Sequence, residues 1–64
     1  MANKKWYVVT SESGLNLREK PSKKANILKV FAWNDRIEAD NSVDAPEGWL
    51  PIKGGGFVMK EFVK

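Results

Sequence analysis

Leu15-Asn16-Leu17-Arg18, followed by Glu19-Lys20-Pro21-Ser22, is the stretch from which the fold is read. Its opening residues alternate apolar and polar with a period of two, which places both leucines on one face of a short strand. The strand cannot run on, because Pro21 fixes its own φ and disfavours helix at Lys20. Lys23, Lys24 and Asn26 extend this into a polar, basic loop. Upstream, Trp6 to Thr10 is rich in aromatic and β-branched residues and is closed by Ser11-Glu12-Ser13-Gly14, a cluster that ends a strand.

Downstream, Ile27 to Trp33 is apolar apart from Lys29 and stops at Asn34-Asp35, a pair suited to a tight turn because both tolerate left-handed backbone. Arg36 to Asp40 alternates again with Ile37 and Ala39 on one face, so the two segments are expected to form a hairpin. A second loop, Asn41 to Gly48, contains Pro46 and leads into the strand Trp49 to Lys53, whose Leu50 and Ile52 share a face. Pro51 cannot donate to a ladder and should point its missing amide away from a neighbour. Gly54-Gly55-Gly56 turns the chain into Phe57-Val58-Met59, and Lys60 to Val63 is expected to make one helical turn before a closing β-bridge.

This pattern has no amphipathic run of helical length. It predicts an all-β fold: a small five-stranded barrel with at most one short helical turn near the C-terminus. A barrel is favoured over a sandwich because closing the sheet removes exposed edges. Leu15, Leu17, Ile27, Ile37, Ile52, Val58 and Val63 are the expected core. Trp49 belongs on the opposite face from Leu50 and Ile52, against a loop or at the surface.

With 64 residues, the chain holds one compact unit, read as a single domain over 1–64 with its core between about 6 and 63. Cys and His are both absent, which removes the usual zinc ligands, a Cys nucleophile and a His general base. Neither Ser-x-x-Lys nor Gly-x-Ser-x-Gly occurs, so the chain is expected not to be an enzyme, and no cofactor is implied. The acids Asp35, Glu38, Asp40, Asp44 and Glu47 fall in turns and outward strand positions, whereas glycosidase chemistry needs two carboxylates flanking a cleft. No apolar run is long enough to span a membrane, and the first residues lack the apolar centre of a signal peptide. Net charge is +3, but residues 1–33 carry seven Lys or Arg against two Glu, so the basic excess is N-terminal and favours an anionic partner.

The order of these elements resembles the bacterial Src-homology-3-like (SH3-like) domain family. Leu15-Asn16-Leu17-Arg18 with Pro21-Ser22 is similar to the family's Leu-Asn-Val-Arg-x-x-Pro-Ser signature; Ile27, Leu28 and Phe31 fall on its apolar positions, and Ile37 lies where its next strand starts. Gly48-Trp49 with Ile52 resembles its Gly-Trp-x-x-Val, and Gly56-Phe57-Val58 with Phe62-Val63 resembles its Gly-Trp-Val and closing Tyr-Leu. Three positions depart: Asn34 stands for Gly, Phe57 for Trp and Phe62 for Tyr.

The resemblance implies a binding module that targets peptidoglycan or another wall polymer, or positions an attached catalytic domain, in an extracellular or wall-associated setting. It also implies candidate ligand-binding residues. Trp49, Met59 and Phe62 match groove positions of Src-homology-3 domains, and Arg18, Lys20, Lys23 and Lys24 supply a basic loop beside them. The alternative reading is a protein-interaction module for a peptide or a neighbouring domain, although the loop that is acidic in Pro-rich-peptide binders is basic here. Nucleic-acid binding ranks last for want of a recognition motif. The chain is read as a monomer.

Overall fold

A computed structural model describes residues 4–64. It is all-β, with six strands: β1 Trp6–Val8, β2 Leu15–Arg18, β3 Ile27–Phe31, β4 Arg36–Glu38, β5 Trp49–Pro51 and β6 Phe57–Met59. A single 3-10 turn follows at Lys60–Phe62, where a helical turn was expected. The strands form two antiparallel sheets, β1-β4 and β3-β2-β6-β5. Among the described residues, isolated bridges just outside the named strands, Val9 with Val63 and Ala39 with Ile52, link the two. There are thus six short strands rather than five, and the described ladders do not close into a continuous barrel.

The expected hairpin between Ile27–Trp33 and Arg36–Asp40 does not form, since β3 pairs with β2 and β4 with β1. The intervening turn explains the difference. Asp35 donates its N–H to the Ala32 carbonyl (3.1 Å), and the Ala32 N–H returns to the Asp35 carboxylate (2.8 Å), so the turn is satisfied within itself. Asn34, in the left-handed region at φ 70°, then donates to the Val9 carbonyl (3.0 Å), while the Val9 N–H reaches the Asp35 carbonyl (2.9 Å). These bonds draw the turn onto the end of β1 and carry the chain into the other sheet.

Val9, Leu15, Leu17, Ile37, Ala39, Leu50, Ile52 and Val58 form one buried cluster, with Tyr7, Phe31 and Val63 packed against it. Ile37, Ile52 and Val58 lie inside as expected. Ile27 does not: it is 51% exposed. The register accounts for this. Leu15 faces Phe31 and Leu17 faces Lys29, but Arg18 faces Ile27, so β3 carries one extra residue, Leu28, at a β-bulge. That residue shifts the two-residue alternation and moves Ile27 to the outward face it shares with Arg18.

Pro51 limits the seam between the sheets. The Asp40 N–H donates to the Pro51 carbonyl (2.9 Å), and on the other side of the bridge Lys53 donates to Glu38 (2.9 Å). An antiparallel pair at Asp40 and Pro51 would return a bond from the residue-51 amide, which proline lacks. The missing amide therefore turns from β6, as expected, but towards Asp40 rather than into open solvent.

Gly56 is the tightest point of the glycine turn. Its φ is 92°, and an added Cβ would lie 2.7 Å from Leu17 Cγ and Cδ1 and 3.2 Å from the Arg18 carbonyl oxygen, whereas at Gly54 (φ 93°) nothing lies within 4 Å. Gly54→Ala therefore bears the left-handed backbone cost of about 1–2 kcal/mol. Gly56→Ala adds core overpacking of about 1–3 kcal/mol. Thermal denaturation should show Gly56→Ala melting well below Gly54→Ala; equal midpoints would contradict the close packing of Gly56 on Leu17.

Candidate functional site

Alternation about the core sets which side chains share the outer face of the larger sheet. Leu15 and Leu17 point inward, so Asn16 and Arg18 point outward. Residues directly opposite on neighbouring strands share a face, which adds Val30 opposite Asn16 and Phe57 opposite Arg18. The buried pair Leu50 and Val58 likewise forces Trp49 with Met59, and Pro51 with Phe57, to the outside. Val30, Asn16, Arg18, Phe57, Met59, Pro51 and Trp49 therefore form one face across four strands. All are half-buried except the exposed Val30.

Two depressions flank this face. The first, about 290 Å³, is lined by Ser11, Asn16, Arg18, Lys23, Met59 and Phe62 among others. The second, about 300 Å³, is lined by Trp49 with Tyr7, Asn41, Val43, Pro51 and Lys60. A wider recess of about 640 Å³ opens on the β1-β4 sheet, bordered by Trp6, Tyr7, Val8 and Arg36. Met59 and Phe62 line the first depression together with Arg18 and Lys23. Trp49 stands beside Met59 as its cross-strand partner but lines the neighbouring depression, against the second loop. Lys20 and Lys24 are exposed on their loop and line neither.

The basic loop is ordered by its own hydrogen bonds. Arg18 Nη1 donates to the Ala25 carbonyl (3.0 Å), the Glu19 N–H to Asn26 (2.9 Å), and Asn26 Nδ2 to the Glu19 carboxylate (3.2 Å). The Lys24 N–H is taken by Ser22 Oγ (3.2 Å). Arg18 is therefore first a brace for the loop, and it also lines the depression. Glu19, the loop's acid, is held by Asn26, which leaves Lys23 as the lysine at the rim.

Among the carboxylates, Asp40 lines the Trp49 depression. The Ser42 hydroxyl and then the Ser42 N–H donate to it and hold its carboxyl below the usual range, against an opposing effect of desolvation and with the smallest contribution, a lowering one, from Lys53. At neutral pH it is an acceptor, with no proton to give a substrate. Glu38, half-buried, pairs with the exposed Lys53 at 3.6 Å. Among the described residues, no group of three or more His, Cys, Asp or Glu side chains is placed to hold a metal ion.

Several lining residues were not singled out from sequence: Ser11 in the first depression, and Asn41, Val43 and Lys60 in the second. Ser11 sits in a turn, and Lys60 in the 3-10 turn, so no strand alternation marks them. Trp6 and Trp33, set at a strand start and a turn, are both more than half exposed.

The Asp40 bonds have a measurable consequence. A folded-state pKa below the ordinary 3.8 means that the Ser42 bonds stabilise the fold fully above that value and lose their effect as pH falls through the folded-state pKa. An NMR titration of the Asp40 carboxyl should give a midpoint below 3.8, moving upward in Ser42→Ala, which keeps the main-chain bond; an unchanged midpoint in that variant would remove the Ser42 hydroxyl as a cause.

Comparison with protein-family models, with curated proteins and with solved structures returns no match for this chain, so any functional reading is carried by its own residues and their geometry.

Proposed function

We propose that the chain is a non-catalytic binding module of the Src-homology-3-like kind, its two sheets forming the walls of a small SH3-like barrel, and that it holds wall polymer or peptidoglycan on the outer face of the four-stranded sheet. The observation that carries this reading is the joining of an apolar strip to a cationic rim. Trp49 and Met59 are cross-strand neighbours, Met59 and Phe62 share a depression, and Arg18 and Lys23 edge it. Aromatic and thioether surface of this kind suits stacking and apolar contact, while the rim suits carboxylates or phosphates of a wall polymer. A shallow site on so small a module binds weakly alone and gains by tethering to a larger protein. Positioning of an attached catalytic domain is the same role seen from the parent chain.

The Pro-rich-peptide mode is less well supported. It needs acids to hold the ligand's Arg, whereas the loop's one acid, Glu19, is outnumbered by Lys20, Lys23 and Lys24, and Lys23 lines the depression.

The test is retention on purified bacterial walls. A packed aromatic anchor commonly contributes about 2 kcal/mol or more, whereas an exposed Lys contributes less than about 1 kcal/mol that salt screens. Trp49→Ala, shown to be folded by its spectrum and thermal midpoint, should lose retention at every salt concentration. Lys23→Ala should lose it mainly at low salt and account for most of the effect of changing Lys20, Lys23 and Lys24 together. Undiminished retention of a folded Trp49→Ala variant would place the ligand elsewhere, with the Trp6 and Trp33 surfaces next to test.

A further inference from the structure

Strand β3 spans five residues, Ile27–Phe31, and forms an edge of the four-stranded sheet, with β2 on one side. Among the described residues no strand or bridge pairs with its other side. An edge strand of this kind presents alternate N–H and C=O groups that a further strand can pair with. Its side chains are also apolar and uncovered: Ile27, Leu28 and Val30 are 51%, 55% and 57% exposed. The bulge at Leu28 turns Ile27 outward as well, so the exposure follows from the register and not from a loose strand end.

The charge at this edge selects the occupant. Lys29 lies at the middle of the strand, its ammonium 5.1 Å from the centre of the Phe31 ring, and the loop that enters β3 carries Lys20, Lys23 and Lys24. In a two-fold antiparallel pairing of two copies that matches the whole strand, each Lys29 would face its own counterpart, and like charges directly opposite are destabilising. A segment with an acid at that position meets no such repulsion.

We infer that the β3 edge accepts an extended segment of another protein as an added antiparallel strand, one that alternates acidic and apolar residues. A carboxylate of that segment lies opposite Lys29, and its flanking apolar side chains cover Leu28 and Val30. Because opposite residues share a face, one alternating sequence meets both requirements. Main-chain bonds supply the pairing, and Lys29 supplies the preference for acid. This edge adjoins the face assigned to wall material and shares Ile27 and Val30 with its border, but Trp49, Met59 and Phe62 lie away from β3, so shifts at those residues or at 27–31 tell the two proposals apart.

The test uses the full chain labelled with 15N and a capped seven-residue peptide alternating Glu and Val, followed by amide shifts. The expected result is saturable shifts concentrated in residues 27–31, weakened by salt, with little binding of the matching Lys and Val peptide. Replacing the central Val of the Glu peptide by Pro should abolish binding, because it breaks main-chain pairing. Lys29→Glu, an exposed change, should weaken the Glu peptide by about two- to five-fold and favour the Lys peptide instead. The proposal is overturned if the shifts fall on Trp49, Met59 and Phe62, if the Pro peptide binds as well, or if Lys29→Glu leaves the preference unchanged. Concentration-dependent dimerisation of the chain alone, lost in Val30→Lys, would overturn it in favour of a second copy.

Discussion

The backbone clamp around Val9 is the constraint on which the rest depends. Val9 exchanges bonds with Asn34 and Asp35 on one side, while on the other Val8 both donates to and accepts from Lys64 (3.0 and 2.9 Å), and Thr10 donates to the Phe62 carbonyl (2.9 Å). The Val9 side chain is fully buried beside Val58 in the same cluster. The end of β1 is thereby held between the β3–β4 turn and the C-terminal residues. A net hydrogen bond contributes about 0.5–1.5 kcal/mol, so such a group is comparable with the few kcal/mol of stability a chain of this size commands. With no cysteine available for a cross-link, the first and last segments fasten each other.

That clamp also positions the outer face. The 3-10 turn that brings Phe62 to Met59 lies between two anchored points: Lys60 donates to the Gly48 carbonyl (2.8 Å), and Phe62 accepts from Thr10. Opposite it, the Arg18 brace sets the loop that carries Lys23. Both rims of the Met59 depression are therefore held by bonds to main-chain carbonyls. The core beneath is entirely apolar among the described residues, so charge is confined to the rim, where salt can screen it.

The two ends of the larger sheet are treated differently. At β5 the seam to β4 is bridged once and then interrupted at Pro51, with Asp40 and Ser42 forming a hydrogen-bonded turn beside it. At β3 the edge is longer, apolar and guarded by a single central lysine. A lysine at that position disfavours pairing with an identical strand and leaves pairing with an acidic one open.

Much of this could be read along the chain. Leu15-Asn16-Leu17-Arg18 and Leu50 with Ile52 gave the inward faces, hence the outward placement of Trp49; the glycines, Asn34 and Pro21 marked the turns; and the 3-10 turn with its closing bridge followed from Lys60 to Val63. These are local properties, set by a period of two and by the backbone freedom of single residues. What the sequence did not determine was which strands become neighbours. The Ile27–Phe31 and Arg36–Glu38 segments are adjacent in sequence, yet long-range bonds from the turn to Val9 place them in different sheets. A bulge that exists only in the pairing with β2 turned Ile27 outward. The separation of Trp49 from Phe62 into adjoining depressions likewise depends on sheet order and loop packing, because alternation assigns a residue to a face and only tertiary pairing assigns its neighbours on it.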